Sequence, residues 1–442
     1  MHSLGEMLPY WTLVPFLGLL LSIAILPIVA EHWWHENRNR ALVSALFSAP
    51  IAVYFPLVHG AAGWHQLGES AHELVAFLAL IASLFIASGG IVIAGSLSGT
   101  PIVNTVVLAI GVVLANLIGT TGASVLLIRP LLRANAAREH RAHLVVFFIF
   151  TVSNCGGLLT PLGDPPLYLG FLKGVPFEWT LRLWPAWLAV NGALLAIFHV
   201  WDQVMLARDE RAQPGAQLEQ VQRHEPLRIE GAHNFVFLIG IVAAIYGAGE
   251  GIGNGGRPWP FPLAEGIMLL LSLGAWLTTR PALRAANGFG FGPVIEVAVL
   301  FAGIFVTMGP ALLVLNHHAP ELGLTEPRQY FWATGLLSGF LDNAPTYLTF
   351  AATACGLADV PVEGPFLGEY LVRGGDAHAV LAAISMGAVF LGALSYIGNG
   401  PNFMVKAIAE ESRVEMPGFF GYLAYSVPVL IPVVAIASWI FL

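Results

Sequence analysis

Two polar stretches broken by glycine and proline interrupt segments that are otherwise apolar enough to cross a bilayer. They are Thr151 to Pro166 (TVSNCGGLLTPLGDPP) and Gly392 to Asn402 (GALSYIGNGPN), and they fall in corresponding halves of the chain. In lipid every backbone N–H and C=O needs an internal partner, so an unwound segment at membrane depth survives only where it is buried in protein or lines a polar cavity. Paired broken helices in two halves point to the substrate and ion site of a secondary transporter.

The rest of the chain suits that setting. Of 442 residues 57% are hydrophobic and 10% charged, and the mean hydropathy is +0.74. A soluble protein of this length needs a charged surface that is missing here. Runs such as Trp11 to Ala30, Leu42 to Val58 and Leu423 to Leu442 are long enough for a hydrocarbon core of about 30 Å. The expected class is an all-α polytopic membrane protein. Trp11 to Ala30 lacks the flanks of a signal peptide and is expected to be a retained span. Cys155 and Cys355 have no metal spacing and are expected to be packing residues. The net charge of −8 has no basic patch, which argues against nucleic acid.

Six apolar segments, a polar linker and six more segments divide the chain into a first repeat over 11–204, a linker over 205–232 that is expected to be cytoplasmic, and a second repeat over 233–442. Glu73 and Glu296 open equivalent segments at 296 − 73 = 223, and Leu114 to Gly122 aligns with Leu337 to Pro345 at the same offset. Gly163-Asp164 aligns with Gly398-Asn399 at 235, which needs twelve extra residues between, expected within Gly356 to Ala377. Segments 101–132 and 328–353 carry small and polar residues in their middles and are expected to be re-entrant hairpins, with broken helices over 143–172 and 378–408. Five crossings per half is an odd number, so the second half is expected to be inverted. With the N-terminus outside, fourteen of the 19 Lys and Arg fall in inner loops, which fits about ten crossings and both termini outside.

Asp164 and Asp342 are the acids nearest the middle of apolar segments. A carboxylate there is costly unless it binds a cation, pairs or is protonated. Around them stand the oxygen ligands that a hard monovalent cation prefers. Asn154, Thr160, Asn343, Ser395 and Asn399 are expected to complete a cation and proton cage with the two acids. A sodium ion is placed at Asp164, Asp342, Asn154, Asn343 and Asn399. Ser153, Asn116, Thr120, Thr121, Thr346 and Asn402 are expected to line the substrate cavity. Gly156, Gly157, Gly163, Gly398 and Gly400 permit backbone that a helix forbids, and Pro161, Pro165, Pro166 and Pro401 keep the helices open. His32 and His35 read as interfacial anchors. Glu73 and Glu296 are either proton relays or scaffold-pairing acids.

Ser153-Asn-Cys-Gly-Gly157 running into Thr160-Pro-Leu-Gly-Asp-Pro-Pro166, with Leu341-Asp-Asn-Ala-Pro345 in the second half, resembles the ion transporter superfamily over nearly the whole chain. The resemblance is closest to its NhaD-like sodium/proton antiporters and its citrate transport (CitMHS-like) branch. It implies scaffold helices and a mobile unit made of hairpins and broken helices, here 101–172 and 328–408, moved by an elevator-like displacement. Elevator-type relatives are often dimers through the scaffold, which implies a homodimer. Dicarboxylate carriers carry Ser-Asn-Thr at both hairpin tips, whereas this chain has Gly119-Thr-Thr121 and Asp342-Asn-Ala344.

Sodium (or lithium)/proton antiport is the leading expectation, with sodium and protons as the partners, the bilayer as the solvent and no resident cofactor. The alternative is a sodium- or proton-coupled carrier of citrate, a dicarboxylate or metal-citrate, with small carboxylates as partners, and arsenite export is a weaker one. A membrane-embedded enzyme using the two acids as a pair leaves the duplication without a role. The Ala- and Arg-rich, Lys-poor composition points to the inner (cell) membrane of a bacterium.

Overall fold

A computed structural model describes residues 4–95, 97–212 and 227–442. The chain is an all-α polytopic membrane protein. Among the described residues seven helical runs are long and apolar enough to cross a membrane, and Asn234–Gly249, Leu263–Thr278 and Ala377–Leu391 are shorter apolar helices.

Two of the long runs turn back on themselves, each at a glycine with positive φ. In Asn37–Ser88 the break is at Gly60 (φ 57°, ψ −123°), and the turn is so tight that a Cβ on Gly63 would lie 2.1 Å from the Phe55 carbonyl oxygen. In Pro101–Ala134 the break is at Gly119 (φ 76°, ψ 156°). Asn104 and Asn135 exchange amide hydrogen bonds of 3.0 and 2.8 Å. A straight helix would hold residues 31 apart at about 46 Å, so this run is a hairpin with Gly119 at its tip. In the second half Pro327–Ser338 and Asn343–Leu357 pack side by side around a tip at 339–342.

The helices sort into two groups by their packing. Asn37–Ser88 lies against Leu13–Val29, Asn234–Gly249, Leu263–Thr278 and Gly292–His317. The hairpins pack with the broken helices and the first also with Trp184–Ala212, while Phe419–Phe441 packs with Trp184–Ala212 and the broken helices. The two groups meet where Asn343–Leu357 lies against Gly292–His317. The first broken helix is Ala142–Thr151, a 3-10 turn Cys155–Leu159 and Pro165–Leu172; the second is Ala377–Leu391, an unwound stretch and Gly400–Glu411. Residues 143–158 are buried without interruption, as are 383–399. Unwound backbone is thus sealed in protein, as lipid requires.

Some boundaries differ from the sequence reading. The helix ending the first half runs on to Ala212, because Arg208, Asp209 and Glu210 extend it beyond the apolar stretch rather than stopping it. The linker over 205–232 therefore begins as helix and ends in strand β2, Arg228–Glu230, which pairs antiparallel with β1, Val92–Ala94. Its middle, 213–226 with Arg223, lies outside the described residues. Within 356–377 stands a short helix, Phe366–Val372, whose Leu367 N–H donates to the Lys173 carbonyl.

Candidate ion-binding site at the crossed loops

The two unwound loops are held against the two hairpin tips by the same bonds. Thr120 N–H donates to the Gly163 carbonyl at 2.8 Å, and Asn343 N–H to the Gly398 carbonyl at 3.1 Å. The offsets are 343 − 120 = 223 and 398 − 163 = 235. Thr160 Oγ1 donates to the Asn116 carbonyl at 2.6 Å, and Ser395 Oγ to the Gly339 carbonyl at 2.5 Å, at the same two offsets. Each loop also folds tightly on itself. A Cβ on Gly163 would lie 2.1 Å from Gly157 O, and one on Gly398 would lie 2.4 Å from Gly392 O. Glycine is required at both positions by this close approach rather than by positive φ.

Asp164 lies where the loops cross, 1% exposed. It precedes Pro165–Leu172 as N-cap yet makes no capping bond, and its carboxylate turns inward to three donors. Thr120 Oγ1 gives to Oδ1 at 3.0 Å, Asn399 Nδ2 to Oδ1 at 2.8 Å, and Asn343 Nδ2 to Oδ2 at 2.6 Å. Among the described residues no lysine, arginine or histidine pairs with it. Burying an acid in a membrane helix costs about 2.5–3.5 kcal/mol on insertion scales. Bonds to a charged group return about 1.5–3 kcal/mol each, so three donors suffice to hold it. Asn399 is the 235-offset counterpart of Asp164, and Asn343 the 223-offset counterpart of Thr120. One carboxylate thus occupies a nearly symmetric cage.

A second layer fixes the first. Asn154 Nδ2 gives to Ile149 O (2.8 Å) and to Asn402 Oδ1 (2.7 Å), while its Oδ1 accepts from Asn399 (3.1 Å). Asn402 Nδ2 gives to Gly392 O (2.9 Å) and Ser395 O (3.0 Å). Both NH2 groups are fully used and each amide oxygen accepts once, so in this conformation the two amides clasp the loops. Asn343 Oδ1, by contrast, is buried and unpartnered. The Ser153 carbonyl accepts from Asn399, and its hydroxyl meets Ser124 at 2.9 Å.

The other expected site residues take different places. Asp342 caps Asn343–Leu357 by accepting from Ala344 N–H at 3.0 Å and makes no hydrogen bond to the Asp164 cage. Thr346 gives to the Asp342 carbonyl. Asn116 gives to Val112 O and Gly156 O and accepts from Leu159 N–H, so with Thr160 and Ser395 it shapes backbone. Thr121 lines a narrow cavity of ≈ 40 Å³ that reaches Asp164 between the first hairpin tip and Phe77, Leu80 and Leu84. Ligand pockets for small organic molecules span about 300–1,000 Å³, so this space is the size of an ion or a water. Glu73 is paired with Lys173, and Glu296 with Arg40 at 3.1 Å. Gly392 joins the site unforeseen: a Cβ there would sit 3.1 Å from Asn154 Oδ1 and 3.3 Å from Asn343 Nδ2. Its 235 offset from Gly157 was the signal.

A duplicated pair of hairpins and broken helices, closed on one buried acid, is transport architecture. No curated protein matches the chain. A family model described as "Putative citrate transport" matches residues 5–442, and by this match over nearly its whole length the chain belongs to that family of transporters.

Proposed function

We propose that the chain is a secondary active transporter that exchanges sodium or lithium for protons, with Asp164 as the group the two ions occupy in turn. The observation that carries this reading is the make-up of the cage. Every group on the Asp164 carboxylate is a hydroxyl or a primary amide, and each of these is both donor and acceptor. With the carboxylate bare, the N–H and O–H groups face it. With a proton on Asp164, a turned Asn343 amide accepts from the new O–H. With sodium bound, amide and hydroxyl oxygens join the carboxylate oxygens as hard ligands. A lysine or arginine in the cage would bar the last two states. Occupancy by one ion at a time couples opposite fluxes.

The group of helices that packs around the hairpins is the moving unit in this proposal, and 37–88 with its neighbours the scaffold. It follows that 177–212 and 419–441 travel with the hairpins, beyond the segments 101–172 and 328–408. The arginine bias of the loops supports a cell-membrane orientation with both termini outside. Purified protein tests the cage. On adding sodium to weakly buffered protein, the wild type releases protons and Asp164→Asn does not; release unchanged in Asp164→Asn refutes the assignment. Asp342→Asn separates the two acids, and loss of release there as well makes Asp342 a partner in the ion site.

Citrate transport in symport with sodium or protons is the second reading, favoured by the name of the family. The N-termini of Pro165–Leu172 and Gly400–Glu411 both face the crossed loops, and helix N-termini hold carboxylates without arginine. That reading needs the ≈ 40 Å³ cavity to open by severalfold.

A further inference from the structure

Each broken helix opens on the dipeptide Ala-His. His143 is the second residue of Ala142–Thr151, His378 the second of Ala377–Leu391, and 378 − 143 = 235, the offset of the crossed loops. The duplication has placed one histidine in opposite surroundings. His143 Nε2 donates to Asp202 Oδ1 at 2.8 Å. The same oxygen accepts from Arg138 at 2.5 Å, Asp202 Oδ2 accepts from Asn104 at 2.8 Å, and Arg138 also bonds Asn135. His378 Nδ1 instead faces Trp179 Nε1–H at 2.9 Å and the Arg182 guanidinium at 2.5 Å. Indole and guanidinium groups only donate, so Nδ1 of His378 must be bare and the ring neutral. A carboxylate only accepts, so Nε2 of His143 must carry a hydrogen in either charge state.

We propose that these two histidines are proton-responsive clasps of opposite sign, one at each end of the broken-helix pair. A proton on His143 adds an ion pair to Asp202 and tightens the bond of the first broken helix to Trp184–Ala212. A proton on His378 sets N–H against two N–H donors and a positive charge, and frees the second broken helix from 177–183.

The neighbouring charges fit this division. Around His143 stand Asp202 and Asp209 from Trp184–Ala212, and Arg138 and His140 from the loop before it. With both imidazoles neutral, Asp202, Asp209 and the exposed Glu139, which lies within 4.8 Å of Asp209 and His140, meet one guanidinium, so the cluster has room for a proton. The first hairpin and its end meet the cluster through neutral Asn104 and Asn135. Gly400–Glu411, which also packs on this arm, has its charges engaged as Lys406 with Glu410 and Glu411 with Arg129. Around His378 the facing charge is Arg182. Glu369 is turned to Arg373 and Glu178 to Tyr246, while Asp376 precedes His378 in the chain. Free histidine changes charge between about pH 5 and 8, and burial together with the Arg182 charge holds His378 below its ordinary value, so the outer clasp opens toward acid. The loops beside His143 carry Arg138 and Arg141 and those beside His378 carry Lys173 and Arg182. By the basic-residue bias these are the inner and outer ends.

Hydrogen exchange of the whole protein in lipid nanodiscs tests the proposal without any transport assay, so it stands or falls apart from the antiport reading on which its physiological use rests. Rates are corrected for intrinsic exchange between about pH 8 and about pH 5.5. In the wild type, protection of 177–185 and 377–381 falls severalfold on acidification, while that of 136–146 rises; no rise there overturns the His143 clasp. His378→Gln, whose amide oxygen accepts from the same donors at every pH, keeps 177–185 protected throughout. Arg182→Gln, which keeps His378 and removes the charge facing it, weakens the acid response. His143→Gln removes any rise at 136–146. A wild type with flat protection at 177–185, or an acid response unchanged in both His378→Gln and Arg182→Gln, overturns the proposal.

Discussion

Asn154 and Asn402 join the halves of the molecule, and neither has a polar counterpart in the opposite half. By the 235 offset Asn154 corresponds to Val389 and Asn402 to Leu167. Replacing each with its counterpart, Asn154→Val and Asn402→Leu, therefore uses side chains the duplicated framework already accepts. Asn402→Leu removes three buried hydrogen bonds, to Asn154, Gly392 and Ser395. Side-chain bonds inside membrane proteins average about 0.6 and reach about 1.7 kcal/mol, so the single substitution costs about 2–5 kcal/mol. Asn154→Val also removes three, one of them shared. The double variant loses that bond once only, so its cost falls short of the sum by about 0.6–1.7 kcal/mol. Unfolding of the four proteins in mixed micelles, titrated with denaturing detergent, gives the cycle. Single costs that add to within about 0.3 kcal/mol, or a neutral Asn402→Leu, would refute the clasp.

The glycines of the loops are predicted to be unequal. Gly163→Ala forces a Cβ to 2.1 Å from Gly157 O and Gly398→Ala one to 2.4 Å from Gly392 O; backbone cannot yield that far, and both variants should lose folded yield in size-exclusion chromatography. Gly400→Ala meets nothing within 4 Å, and its melting temperature should stay near the wild type. The Glu73–Lys173 pair joins the scaffold to the first broken helix. Lys173→Met leaves a carboxylate alone and should be less stable than Glu73→Gln with Lys173→Met, as breaking one partner of a poorly solvated pair costs more than removing both. A double variant less stable than the single one would contradict that.

Much of this framework was legible because a membrane leaves few reasons for glycine, proline and amides inside apolar runs. The 235 offset and part of the 223 offset came from such residues, and the bonds of Thr120 and Thr160 recur at their counterparts Asn343 and Ser395. Side-chain direction was less legible. Asp342 and Asp164 look alike in the sequence, each an acid beside a hairpin tip or loop. One bonds its own helix end and the other crosses to three partners, a choice made by distant packing. The Arg138–Asp202–His143 cluster was invisible for a related reason. Its members lie up to 64 residues apart and follow no spacing rule. Helix Trp184–Ala212 runs past the apolar stretch that ends at 204 because Asp209 faces inward to Arg138 and His140.

The most direct test of ion exchange at Asp164 is dequenching of a pH-sensitive dye in acid-loaded proteoliposomes of wild type and Asp164→Asn. Sodium, lithium, potassium, citrate and succinate are added in turn. Wild-type protein should give proton efflux with sodium or lithium alone, and Asp164→Asn none. No response to any cation, with sodium-dependent uptake of labelled citrate instead, would contradict it and make the chain a carboxylate carrier.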